Sequence, residues 1–203
     1  YRLNLGAVVR GLRMEDDLRP EDINRLEAFT KKNLLSLTCQ FFDCMGFGTP
    51  LVMGLRILYS QICNKGGVDM RDVLAPDIQV KIKELVIELL QGPKLKFQRR
   101  IVFDQEATLV IFWDGSLTAF GACAYLVSGG GSNLLTSAGK VIGKGKYTAP
   151  QSEMAAAALA VRVGCKIRNE MCDTRFVKTL YIGDSQIVCR IIATGRPCRL
   201  DVF

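Results

Sequence analysis

Ala107-Thr-Leu-Val-Ile-Phe-Trp-Asp114 runs directly into Gly115 and Ser116. An apolar, β-branched and aromatic run of this length reads as a strand buried on both faces. A carboxylate at its end then needs a physical reason, because an unpaired charge is costly to bury. Gly115-Ser116 allows a tight exit, and the alternating segment from Leu117 to Val127 predicts the next strand, returning antiparallel. Asp114 is therefore the first candidate for a group of carboxylates gathered around divalent metal.

Further along, Gly129, Gly130 and Gly131 mark a turn, and a third strand is expected over 134–141, followed by the loop Gly143-Lys144-Gly145-Lys146. Thr148-Ala-Pro-Gln151 has the form of a capping box with Pro150 in the first turn, which predicts a helix over 149–168. Its alanines, with Met154, Leu159, Val161 and Val163, permit close approach to a sheet, and Glu153 falls in its second turn. A short apolar strand over 177–182 ends at Gly183-Asp184-Ser185, and a helix over 187–193 precedes Gly195 and Pro197. The order β-β-β-α-β-α predicts an α/β fold, a mixed sheet with helices packed against it.

The upstream part reads differently. Residues 1–29 show no sustained periodicity and predict an extended lead-in. Thr30 is a candidate N-cap for a helix over 31–44, which the Gly46, Gly48, Pro50 cluster ends. Thr49 and Pro50 open a second helix, with Leu51, Val52, Leu55, Leu58, Tyr59 and Ile62 recurring every three to four residues until Asn64. A third is expected from Pro76 to Leu90. These make a helical region over 1–93, joined by a basic linker over 94–100 to the sheet domain over 101–203. The linker cations Lys94, Lys96, Arg99 and Arg100 suit either a solvated connector or a strip contacting phosphates.

Composition narrows the chemistry. The 203 residues contain no histidine, which removes serine–histidine, cysteine–histidine and histidine–metal catalysis. What is left is carboxylate, lysine or metal held by oxygen. The eight cysteines include no Cys-x-x-Cys pair and read as reduced, intracellular thiols. A formal charge of +7 suits a polyanionic partner, and no apolar run reaches the roughly 18 residues of a membrane span. The start at Tyr1, and not at Met, leads us to expect a piece of a longer polypeptide.

Between Glu106 and Glu170 the only acidic residues are Asp114 and Glu153, both at structured positions, and Asp184 ends another apolar strand. Three carboxylates brought together repel unless a cation neutralises them, and hard oxygen ligands suit Mg²⁺ or Mn²⁺. Simpler explanations exist for each residue alone. Asp114 could form a turn before Gly115, Glu153 could favour the positive end of its helix, and Asp184 could cap the helix after it. Their joint occurrence on this order of elements favours a site.

Phe112-Trp-Asp114-Gly-Ser, Gln151-Ser-Glu153-Met-Ala-Ala and Ile182-Gly-Asp184-Ser-Gln resemble the first three carboxylate motifs of ribonuclease H, in the same order. Upstream, Leu3-Asn-Leu-Gly6, Arg10-Gly-Leu and above all Phe42-Asp-Cys-Met-Gly-Phe-Gly-Thr-Pro50 resemble the region joining reverse transcriptase to ribonuclease H in Pao/BEL-type retrotransposon polyproteins. The resemblance implies hydrolysis of the RNA strand of RNA/DNA hybrids with two Mg²⁺ or Mn²⁺ ions, held by Asp114, Glu153 and Asp184. It also implies reverse transcriptase and other polyprotein segments as partners, and a place in retroelement particles in the cytoplasm, or in the nucleus. Ser116, Lys144 and Lys146, with the four linker cations, are the candidate nucleic-acid contacts. Two departures stand out: the loop histidine of many such enzymes is absent, and the fourth carboxylate, expected on a later helix, is not found. A catalytically inactive module that holds the hybrid or supports a dimer, in an element or domesticated by a host, therefore stays open as the alternative.

Overall fold

In a computed structural model of the chain, residues 28–40, 43, 45–91, 106–143, 145, 147–172 and 174–195 are described. Residues 1–27 of the lead-in, the linker cations Lys94, Lys96, Arg99 and Arg100, the loop lysines Lys144 and Lys146, and much of the upstream motif, including Phe42 and Cys44, lie outside them. The chain divides into two units. One takes 1–44 and 50–97, and the other takes Met45–Thr49 together with 98–203.

The first unit holds helices α1 (Lys31–Gln40), α2 (Thr49–Lys65) and α3 (Pro76–Gln91). The expected cap is present, with Thr30 Oγ1 accepting from the Asn33 N–H at 3.2 Å. The three-to-four spacing buries Val52, Leu55, Leu58 and Ile62 on α2. Ile82 and Val86 of α3 join Phe29, Leu34, Leu37 and Leu74 in the same core. The segment before α1 is fastened by the Gln79 amide, which accepts from the Phe29 N–H and donates to the Phe29 carbonyl, both at 2.8 Å, and by the Leu74 N–H, which donates to the same carbonyl at 3.0 Å.

The second unit is built on a four-stranded sheet in the order β3-β2-β1-β4, with β1 at Glu106–Gly115, β2 at Ala119–Ser128, β3 at Gly131–Val141 and β4 at Arg175–Ile182. β1 is antiparallel to β2 and parallel to β4, so the sheet is mixed, as expected. β2 starts at Ala119 because Ser116 closes the turn before it, its hydroxyl accepting from the Ala119 N–H at 3.1 Å and donating to the Ala119 carbonyl at 2.9 Å. β3 starts at Gly131 because Gly129-Gly130 alone form the hairpin turn, with Ser128 opposite Gly131.

Helix α4 (Ala149–Glu170) covers one face of the sheet. The Thr148 N–H donates to Gln151 Oε1 at 2.8 Å, the return half of the capping box. Buried Ala156, Ala157 and Ala160 sit against Leu109, Ile111, Trp113, Ala124 and Leu126. Helix α5 (Gln186–Thr194) contributes Val188 to that core.

The expectation that β1 is buried on both faces needs correction. Ala107, Leu109, Ile111 and Trp113 are buried beneath α4, but Phe112 on the opposite face is 43% exposed, and its β4 neighbour Ile182 is 42% exposed. Among the described residues no helix covers that face, so the strand's apolar run reflects a central position with one covered side. Asp114 shares the open face and is exposed.

Met45–Thr49 is fastened to the edge strand β3. Thr136 Oγ1 donates to the Met45 carbonyl at 2.7 Å, and the Ser137 hydroxyl donates to the Gly46 carbonyl. Gly46 has φ 77°, and a Cβ there would fall on the Ser137 carbonyl, so only glycine fits.

Leu109→Ala, at a fully buried position, is expected to cost about 2–5 kcal/mol of unfolding free energy, read from the urea midpoint. Gly46→Ala is expected to lower that midpoint as well, whereas Gly130→Ala, with open space around it, is expected to cost less despite its positive φ.

Candidate active site

The three carboxylates sit at one end of the sheet of the second unit. β1 and β4 run parallel with Phe112 opposite Ile182, and Asp114 and Asp184 each follow two residues later. Gly183 lies against the Trp113 indole, where a side chain of any size would collide, and this keeps the chain leaving β4 close to the end of β1. On the other flank Asp114 pairs with Gly121, so β2 presents no side chain beside it.

Glu153 is brought in by a close backbone approach. A Cβ on Gly115 would stand 2.6 Å from the Ser152 carbonyl carbon and 2.8 Å from the Glu153 nitrogen, so the first turns of α4 rest directly on the end of β1. Ser152, completely buried, secures the contact by donating to the Ser116 carbonyl at 2.6 Å. Ser185 then links Glu153 to the Asp184 segment. Its hydroxyl donates to Glu153 Oε2 at 2.5 Å and accepts from the Val188 N–H at 3.3 Å, which makes it the N-cap of α5.

These contacts bear on the simpler explanations. The capping role open to Asp184 belongs to its neighbour Ser185. The turn role open to Asp114 is met in part, since Oδ1 accepts from the Gly115 N–H at 2.7 Å. Glu153 lies beyond the first turn of α4, which holds no acidic residue. Among the described residues none of the three carboxylates makes an ion pair; the pairs seen join Lys166 to Glu170 and Arg175 to Glu106.

The donor set is all oxygen, the chemistry that hard divalent cations prefer. In the rotamers seen, however, no group of three or more His, Cys, Asp or Glu side chains among the described residues is arranged to hold a metal ion. The backbone brings the carboxylates to one place, while the side chains of Glu153 and Asp114 are turned onto the Ser185 hydroxyl and the Gly115 N–H.

Ser116 is engaged through its hydroxyl in the β1–β2 turn and through its carbonyl with Ser152. Sequence reading did not single out Ser152 or Ser185. The signal was available, since each hydroxyl adjoins a candidate carboxylate, in Ser152-Glu153 and Asp184-Ser185. No helix among the described residues is long and apolar enough to cross a membrane.

Residues 30–185 match the model of the Pao retrotransposon-like RNaseH-like domain. No curated protein matches the chain. Similar solved structures include the foamy viral protease-reverse transcriptase dRH in complex with double-stranded DNA, at 16% identity and a TM-score of 0.50, over 88% of this chain and 29% of that one. The foamy viral protease-reverse transcriptase in complex with double-stranded DNA gives 14% identity and a TM-score of 0.49, over 82% of this chain and 41% of that one. Its complex with an RNA/DNA hybrid gives 15% and 0.45, over 89% and 23%. At these identities the likeness is one of fold, and the chain spans 29% of the length of the first of these proteins. The mixed sheet carrying α4 and α5 is ribonuclease H-like, and the chain belongs to the family of Pao retrotransposon-like RNaseH-like domains.

Proposed function

We propose that this chain is the ribonuclease H-type part of a retroelement polyprotein, hydrolysing the RNA strand of RNA/DNA hybrids with Asp114, Glu153 and Asp184 as metal ligands. What supports the reading is that the ends of β1 and β4 and the first turns of α4, which carry these three carboxylates, adjoin at one end of a ribonuclease H-like sheet, with no cation among the described residues paired to them. Two bound Mg²⁺ or Mn²⁺ ions would supply an activated water and offset charge on the transferred phosphoryl group. Asp114 and Asp184, on adjacent strand ends, would hold the ions from the sheet, and Glu153 would reach them from α4.

Ser185 is a positioning residue in this scheme. Its hydroxyl orients one oxygen of Glu153 and leaves the other as a donor to metal. Lys94, Lys96, Arg99, Arg100, Lys144 and Lys146 are proposed as phosphate contacts, and reverse transcriptase and other polyprotein segments as partners in retroelement particles.

A second reading is favoured by one observation, the lack of a formed three-carboxylate ligand group among the described residues. In it the module holds the hybrid without cutting it. Trp113, the single tryptophan, adjoins Asp114 and gives a readout that separates the two readings. Mn²⁺ is expected to quench its fluorescence in the wild type and not in Asp114→Asn, and the same substitution is expected to abolish cleavage of a labelled hybrid in Mg²⁺. A hybrid bound without either quenching or cleavage would favour the second reading, and cleavage unchanged in Asp114→Asn would remove the assignment. Ser185→Ala is expected to keep the fold and lower cleavage by about 10- to 100-fold, with part of the loss recovered at high Mn²⁺.

A further inference from the structure

A cavity of about 410 Å³ opens on the α4 side of the sheet, near the carboxylate end but separate from it. Phe120 and Tyr147 form an aromatic wall, their ring centroids 6.4 Å apart, and Ala158 and Leu159 are among the residues that give it an apolar floor. Lys140 from β3 and Arg162 from α4 stand at the rim, both exposed, and no acidic residue lines it. Neither cation makes an ion pair with another described residue, in contrast to Lys166 and Arg175.

This combination suits one kind of ligand. Two unpaired cations favour a phosphate, with Arg162 able to engage two of its oxygens. An aromatic wall beside an apolar floor favours a flat ring, since base–aromatic stacking accepts any nucleobase. In a duplex the bases stack on one another and only the backbone could reach the rim. An unpaired nucleotide can place its base inside and its phosphate at the mouth.

The location agrees with a strand passing the carboxylates. Gly115 pairs with Phe120, and Phe120 pairs with Lys140, so along the sheet the rim lies two strand spacings, about 10 Å, from the end of β1, on the α4 side that carries Glu153 and opposite the face that Asp114 shares. That is roughly three nucleotides of helical rise.

We infer that this pocket seats one unpaired nucleotide of a single-stranded extension leaving a hybrid bound at the carboxylates, its base against Tyr147 and Phe120 and its phosphate between Lys140 and Arg162. The inference rests on the hybrid reading above and adds a preference for hybrids with a single-stranded extension over blunt ones.

The test compares fluorescein-labelled blunt and single-strand-extended hybrids, binding the full chain in Ca²⁺ over a series of KCl concentrations. The extended hybrid is expected to bind about tenfold more tightly, with a steeper salt dependence by about 0.7 in log–log slope. Tyr147→Ala, and Lys140→Gln with Arg162→Gln, are expected to erase that advantage while leaving blunt-hybrid affinity and Mn²⁺ quenching of Trp113 as in the wild type. Lys178→Gln, an exposed cation on β4 outside the pocket, is expected to change neither. Equal affinity for the two hybrids in the wild type, with the blunt hybrid still bound, overturns the pocket inference and leaves the hybrid reading intact. Failure to bind either hybrid counts against the hybrid reading itself. Displacement of the extended strand from wild type and pocket variants alike by adenosine monophosphate would overturn the assignment, whereas competition confined to the wild type would support it.

Discussion

The site depends on the approach of two backbones, Gly115 at the end of β1 and Ser152-Glu153 in α4, close enough that a methyl group could not be inserted between them. The capping box sets where α4 begins, and the hydrogen bond from buried Ser152 to the Ser116 carbonyl fixes that start against the β1–β2 turn. A helix positioned only by apolar packing can slide along a sheet at modest cost. One held at its first turns by a buried hydroxyl cannot, because sliding would leave a polar group unsatisfied in the core. The backbone of Glu153 therefore inherits its position from a glycine and a serine, and its carboxylate is oriented separately by the Ser185 hydroxyl.

From that contact inward, the sheet and α4 follow from small side chains. Ala156, Ala157 and Ala160 bring the helix onto Leu109, Ile111 and Trp113, and this face was legible from the alanine-rich pattern. The element order and the mixed sheet were legible for the same reason, because the strands and helices change period where turn residues intervene. The second face was not. Val110, Phe112 and Ile111 are alike as letters, and periodicity cannot tell a strand covered twice from a central strand covered once. That ambiguity misjudged the surroundings of Asp114, which needs no compensation for burial because it is exposed.

The hydrogen-bonded support was legible only in part. Thr148 and Gln151 carry a known spacing, so the start of α4 could be read. Ser185 could be read only as one of two adjacent residues able to cap α5, since Asp and Ser are almost equal in that role. The choice between them is made by Glu153, a partner 32 positions away in the chain. The same limit hid the fastening of Met45–Thr49 to β3. Glycines at 46 and 48 predict a helix end, and nothing local reveals that Thr136 and Ser137 bind the carbonyls there.

The support for the carboxylates consists of neutral groups. The Gly115 N–H holds Asp114, the Ser185 hydroxyl holds Glu153, and no lysine or arginine among the described residues pairs with either. An arginine in the same place would orient a carboxylate equally well, but it would cancel the charge that attracts a metal ion. Hydroxyl and amide donors orient a carboxylate without neutralising it. Lys140 and Arg162, two cations of the same unit that make no ion pair among the described residues, stand about two strand spacings away along the sheet, on the α4 side. The two signs of charge are thus kept apart within this unit, Asp114 on the open face and Lys140 and Arg162 on the α4 side, whereas an ion-pair network would have brought them together.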